Sequence, residues 1–214
     1  MNDEFPPFEL PEEPALDPAM LESMRTSVEE SVKKETGALA TLRAWPTLRR
    51  RALFLAAILG VTAFGLIRGW AHPAIALGLC FAASAIAWLS LRPLHQPALP
   101  RWVELMVPAA AIGGVVILAL LTSGPQVPFV NHLRCFAPGM ATATAVLIAW
   151  RMVSRSTVGF HALAAAAAAG LAANAFLAGG CALLGPQHLL AGHASVILIL
   201  VVGVWITDRL RRSV

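Results

Sequence analysis

The sequence predicts an all-α, polytopic membrane protein with six transmembrane helices and both termini in the cytoplasm. Apolar residues make up 57% of its 214 residues, and charged residues only 13%. A soluble domain needs more polar surface than that to cover its core. The apolar residues are gathered into six stretches, and nearly all arginines fall in alternate gaps between them. Both features are typical of helical membrane proteins.

The six apolar stretches define a predicted transmembrane domain over residues 51–206. A bilayer core needs about 20 apolar residues per helix, and about 17 suffice. Backbone amides in lipid must be satisfied within the segment, so each stretch is predicted to be a helix. Because the connections are short, we expect successive spans to pack as antiparallel neighbours. The predicted spans are 52–67, 74–91, 102–122, 136–150, 157–184 and 189–206.

The arginines set the predicted orientation. Of the arginines near the spans, eleven lie shortly before the first span, after the last span, or in the second and fourth connections, and only Arg68 and Arg134 lie in the other three. Since basic residues flanking spans stay cytoplasmic, the tail at 1–50 and the short C-terminus at 207–214 are predicted to be inside. The net charge of +4 then reflects topology. We expect no direct binding of nucleic acid, because no basic cluster lies on a soluble domain.

The cytoplasmic tail combines a proline-rich acidic start with one predicted helix. Residues 1–16 are expected to be extended and disordered alone. Phe5 and Phe8 are predicted to bind a partner, because a tail that only contacts water does not need aromatic side chains. A helix is predicted over about 18–36, because Asp17 can cap it and the proline that follows suits its first position.

That helix carries one apolar stripe, formed by Leu21, Met24, Val28 and Val32 at spacings of three and four. The stripe is too small to make a core, so the helix is marginal alone. One interpretation is a solvated or membrane-surface helix, and the other is a partner-binding helix. Residues 1–35 contain ten acidic and three basic residues, a net charge of −7. This charge argues against an anionic leaflet and favours a basic protein partner.

Motifs of membrane enzymes and ion-coupled transporters are absent from the sequence. It contains no Gly-x-Ser-x-Gly and no His-Glu-x-x-His. Beyond residue 35 the only acidic residues are Glu104 and Asp208, both at predicted cytoplasmic ends of spans. Pumps usually need buried carboxylates or broken helices at mid-depth. We therefore expect neither an enzyme nor a cofactor.

The predicted outer face collects two of the three cysteines and four of the six histidines. Cys135 lies where the fourth span begins, and Cys181 lies where the fifth ends. Two cysteines in an oxidising compartment most often form a disulfide. A redox- or metal-sensitive pair is a second interpretation, since thiolate and imidazole suit Zn²⁺ or copper, and unrelated thiols are a third. The four histidines at this level are His72, His132, His188 and His193.

The fifth span is dominated by alanine, which predicts the central helix of the bundle, because small residues let helices approach closely in lipid. Two polar side chains lie on this span, Asn174 and His161. Each is expected to make an interhelical hydrogen bond rather than to carry protons or substrates. Cys80, within the second span, is expected to be a small buried hydrophobe.

Three features point towards one family: Arg134-Cys135 opening a span, the interval to Gly180-Cys181, and Pro186 before the last span. With six helices and a partner-binding tail, this layout resembles the NrsF-like and CarR-like membrane anti-sigma factors, which are negative regulators of extracytoplasmic-function (ECF) sigma factors. The tail departs from zinc-containing anti-sigma domains, since residues 1–50 hold no His and no Cys.

The resemblance implies an integral protein of the bacterial inner membrane that holds an ECF sigma factor through its tail and releases it on an envelope or stress signal. It also implies that Cys135 and Cys181 sense that signal. Charge would steer the acidic tail to a basic sigma factor, and the apolar stripe of its helix would supply affinity. The alternative is a small transporter or channel, or a membrane scaffold, without sigma binding.

Overall fold

The structure is a computed structural model, and it describes residues 17–34, 38–91, 100–124, 128–154, 160–182 and 185–212. The described residues are helical and contain no strand. The chain divides into two compact units, residues 1–40 and residues 41–214.

The first unit contains helix α1, Pro18–Lys34, which lies where the tail helix was predicted. The side chain of Asp17 accepts a hydrogen bond from the backbone N–H of Ala19 at 3.0 Å, so it caps the helix as expected. Leu21 and Met24 are each about half exposed.

After α1, the helices in chain order are α2 Ala38–Ala44, α3 Thr47–Gly69, α4 Pro73–Ser90, α5 Arg101–Leu121, α6 Phe129–Val153, α7 Phe160–Gly180, α8 Pro186–His188 and α9 Ser195–Arg212, with a π-helical turn, Leu189–Ala194, joining the last two.

In the second unit, helices α3 to α9 run back and forth. Cys135 and Cys181 lie at one end, where α3 and α7 end and α4, α6 and α8 begin; we call it the cysteine end. The opposite end, where α3 begins and α9 ends, is the arginine end.

Five of these segments are long and apolar enough to cross a membrane. In the remaining apolar helix, α5, the apolar part is shorter and covers Leu105–Leu121. The prediction of an all-helical protein is therefore confirmed, and five helices could cross a membrane, while the sixth span and the orientation stay predictions. The five are Thr47–Gly69, Pro73–Ser90, Phe129–Val153, His161–Gly180 and Pro186–Leu210.

Helix α7 is the centre of the bundle, as its alanines predicted. All residues from 162 to 175 are buried, and α7 contacts α3, α4, α5, α6 and α9. Because an alanine carries only a methyl group, neighbouring helices can approach α7 on every side.

The two polar side chains on α7, His161 and Asn174, make the interhelical hydrogen bonds that were expected of them. Nδ1 of His161 lies 3.0 Å from the carbonyl of Ser90 on α4, and the side-chain amide of Asn174 donates to the carbonyl of His193 at 3.2 Å.

The expectation that successive spans are neighbours is wrong for α5. Within the described part of the chain, the backbone of α5 packs mainly against α7 and the segment from α8 to α9, not against α4 or α6. Instead of α4 or α6, helix α7 is the main neighbour of α5.

Cys80 is a buried core residue, as expected.

Glycines allow the closest helix crossing, between α3 and α7 at the cysteine end. A Cβ added at Gly65 would lie 2.7 Å from the Cα of Phe176, and one added at Gly69 would lie 2.7 Å from the carbonyl oxygen of Gly179. These two glycines of α3 are four residues apart, so they form one small-residue face. The crossing fixes the end of α7 immediately before Cys181.

Candidate metal centre

Two cysteines and two histidines converge at the cysteine end from three segments of the chain. Cys135 lies near the start of α6, and Cys181 directly follows α7. His188 ends α8, and His193 lies on the π-helical turn. The backbone N–H of Cys181 donates to the carbonyl of Leu177 at 2.7 Å, which continues the hydrogen-bonding pattern of α7 and positions the thiol.

The four potential ligand atoms form one compact cluster, which we call the Cys2His2 cluster. The two Sγ atoms are 3.3 Å apart, and Sγ of Cys181 is 3.3 Å from Nε2 of His188. All four ligand atoms, including one of His193, lie within 4.8 Å of one another. Cys135 is partly buried, and the other three residues are buried.

These separations are close to those around a tetrahedral metal ion, and ligand atoms that are up to 4.8 Å apart would have to move together by about 1 Å to bind one. Zn–S bonds of about 2.3 Å and Zn–N bonds of about 2.0 Å separate adjacent ligands by about 3.3–3.8 Å. Two thiolates and two imidazoles are a common structural zinc set, and soft sulfur ligands also suit Cu⁺. Among the residues that the structure describes, no other group of three or more His, Cys, Asp or Glu converges in this way.

The π-helical turn brings the two histidines together. In an α-helix, residues five apart differ by about 140° around the axis, so His188 and His193 would point in different directions. A π-helical turn closes a hydrogen bond between residues five apart and brings their side chains closer to one face. The ring centroids of these two histidines are 5.4 Å apart.

His132 orients His188 from the preceding turn of α6. The Nδ1 atoms of these two rings lie 3.1 Å apart, so one ring donates and the other accepts. This contact leaves Nε2 of His188 directed at Cys181. Hydrogen bonds of this kind fix the tautomer and the direction of metal-binding histidines.

His193 provides the clearest sign of a missing partner. Its Nε2 atom is buried and has no hydrogen-bond partner, while its backbone carbonyl accepts from Asn174. A buried polar nitrogen without a partner is costly, and coordination to a metal ion would satisfy it.

The structure thus brings together Cys135 and Cys181, and it adds two of the four histidines that the sequence placed at this level. His72 lies at the same end, but it is outside the Cys2His2 cluster. Both cysteines are free thiols in this structure. Of the proposed partner-binding residues, Leu21 and Met24 are exposed on α1, and Val28 and Val32 belong to α1 by their backbone. Phe5 and Phe8 lie outside the described residues.

Comparison with protein-family models, with curated proteins and with solved structures finds no match for this chain.

Proposed function

We propose that this protein is an anti-sigma factor of the bacterial inner membrane, with six spans and both termini in the cytoplasm. Its tail binds an ECF sigma factor. Binding of a soft metal ion at the Cys2His2 cluster, or oxidation of its two thiols, changes the affinity of the tail for that sigma factor. The observation that carries the proposal is the convergence of Cys135 and Cys181, 46 residues apart in sequence, on two buried histidines.

The location of the cluster favours a sensor over a transporter. It lies at one end of the bundle, and the interior beyond it is packed with the alanines of α7. Asn174 is the polar residue nearest along α7, and its side-chain NH2 group donates to the backbone carbonyls of Gly170 and His193, while its Oδ1 is buried without a partner. A transport path needs further ligand sites through the membrane. One closed cluster with protein ligands resembles a structural or sensory metal site.

Helix α6 connects the Cys2His2 cluster directly to the arginine end of the bundle. It carries Cys135 near one end and Val153 at the other, about 27 Å away at 1.5 Å per residue. There the buried guanidinium of Arg50 donates to the carbonyl of Val153 at 3.3 Å and to the carbonyl of Trp45 at 3.1 Å. Trp45 lies in the segment that leads from the tail into α3. A shift of α6 would therefore reach the residues that follow the tail.

We expect Arg50→Gln to lower the free energy of unfolding by about 2 kcal/mol, because hydrogen bonds from a charged donor contribute about 1.5–3 kcal/mol each. In the parent protein, metal binding is expected to change the affinity for the sigma factor by about 5- to 150-fold. Arg50→Gln should reduce this change, while the affinity for the metal itself stays the same. Denaturant unfolding in detergent and binding titrations with and without Zn²⁺ measure these effects. Arg49→Gln, at the exposed neighbouring position, is the control. Equal metal responses in the two variants would contradict this route.

The tail is tested with the full-length protein as bait. Purified in detergent, it should capture an ECF sigma factor from a lysate of its source organism, identified by mass spectrometry. Leu21→Glu combined with Met24→Glu should weaken that capture at least about 10-fold, because burial of each such side chain is worth about 1.5–3 kcal/mol.

Ser23→Glu is the matched control, since Ser23 is exposed and lies about 200° around the helix from Leu21. It adds one negative charge to the opposite face of α1, against two in the double variant. Capture of no sigma factor would refute the proposed function. Equal loss with Ser23→Glu would show that charge, and not the apolar stripe, governs binding.

A further inference from the structure

A cavity of about 440 Å³ lies beside the cysteines, between the end of α3, the start of α6 and the end of α7. Both thiols line it, together with the side chains of Arg68, Arg134 and Asn131. Its volume falls in the range of small-molecule sites. It lies next to the Cys2His2 cluster, yet its arginines have no role in that cluster.

The two arginines give this cavity a positive charge that no carboxylate of the bundle offsets. They are the two span-flanking arginines that do not share the predicted cytoplasmic side of the eleven others that flank spans. The chain has only two acidic residues after residue 35, Glu104 and Asp208, and both belong to the arginine end of the bundle. Two guanidinium groups and an amide are the donors that proteins use to bind phosphate.

The residues next to the two arginines in sequence are apolar and exposed. Ile67 is 79% exposed and Trp70 is 66% exposed on either side of Arg68, and Leu133 beside Arg134 is 48% exposed. Tryptophan is enriched where helices pass through the headgroup region of a bilayer. A ligand in this cavity would therefore meet charge inside and apolar side chains at the edge, which is the pattern of a phospholipid.

We propose that Arg68 and Arg134 bind the phosphate group of an anionic phospholipid, whose headgroup fills the cavity and whose acyl chains lie along α3 and α6. Basic cavities between transmembrane helices bind anionic headgroups by this chemistry. The bound headgroup covers the walls formed by Cys135 and Cys181, so it also controls access of solutes to those thiols. This inference stands on the cavity and does not depend on sigma binding.

The thiols that line the cavity report its occupancy. Metal-free full-length protein carrying Cys80→Ser is placed in nanodiscs of phosphatidylcholine with or without phosphatidylglycerol, and the rate of maleimide labelling is measured. Phosphatidylglycerol should slow labelling, and native mass spectrometry should detect it bound. Arg68→Gln and Arg134→Gln should each weaken lipid affinity about fivefold, and the double variant about 30-fold.

Arg209→Gln is the control, because Arg209 is exposed and lies near the end of α9, where its guanidinium stacks on Trp205. This variant should label like the parent protein. Equal protection in the double arginine variant, or equal protection by phosphatidylcholine alone, would overturn the proposal. A third arm adds inorganic phosphate to protein in detergent, and protection there as strong as with phosphatidylglycerol would assign the site to a soluble anion and overturn the lipid.

Discussion

Replacing Cys135 by serine is expected to lower the affinity for Zn²⁺ by about 100-fold. Four protein ligands bind structural zinc with about 10–16 kcal/mol, so one ligand contributes roughly a quarter, about 3 kcal/mol, which corresponds to about two orders of magnitude. Competition with a chromogenic chelator under reducing conditions, with the protein in detergent, measures the change. The same loss is expected for Cys181→Ser and His193→Ala, because each removes one ligand of the Cys2His2 cluster.

Two further variants make this test specific. Cys80→Ser should bind as the parent protein does, since that thiol lies in the core away from the cluster. His132→Ala should lose about 10- to 100-fold, because His132 orients His188 without being one of the four ligands. If Cys135→Ser and His193→Ala both bind Zn²⁺ as tightly as the parent, the metal centre does not exist.

The α3–α7 crossing should be the most sensitive packing contact of the bundle. Gly65→Ala is expected to lower the free energy of unfolding by about 3 kcal/mol, since the new methyl group would collide with backbone atoms of Phe176, which cannot rotate away. Gly179→Ala should act similarly, because its Cβ would lie 2.7 Å from the backbone nitrogen of Leu66. Denaturant unfolding followed by tryptophan fluorescence measures both.

Gly60→Ala is the matched control on the same helix. A Cβ at Gly60 would have no atom within 4 Å, so this change should be neutral or stabilising by up to about 1 kcal/mol through helix propensity. If Gly65→Ala proves as stable as Gly60→Ala, the two helices do not cross as closely as described.

The sequence predicted the helices well where apolar residues run without interruption, and less well at their ends. The fourth span was predicted to start at 136, but α6 starts at Phe129. Its first turns contain Asn131, His132 and Arg134, which lower hydropathy. In the structure, these residues line the cavity or contact His188. A hydropathy scale assumes that every residue of a span faces lipid, so it assigns polar helical residues that contact other parts of the protein to a loop.

The site was predictable in its cysteines and in its level along the bundle, but not in its choice of histidines. Four histidines were placed near the two thiols, and only His188 and His193 join the cluster. That choice depends on the π-helical turn, because a spacing of five residues does not place two side chains on one face of an α-helix. Nor did short connections predict the position of α5, since its packing is decided by the surface of α7.

The alanine surface of α7 also has a consequence for the speed of any rearrangement. An alanine has no side-chain rotamer to order, so packing against it costs almost no conformational entropy beyond the backbone. Large interlocked side chains must change rotamer before two helices can slide, whereas methyl groups present a nearly smooth cylinder. Apart from α3, which the glycine crossing holds in place, neighbouring helices can therefore shift along the alanines of α7 without first unlocking large side chains, and a change at the cysteine end can travel through them as a rigid-body movement with a low barrier.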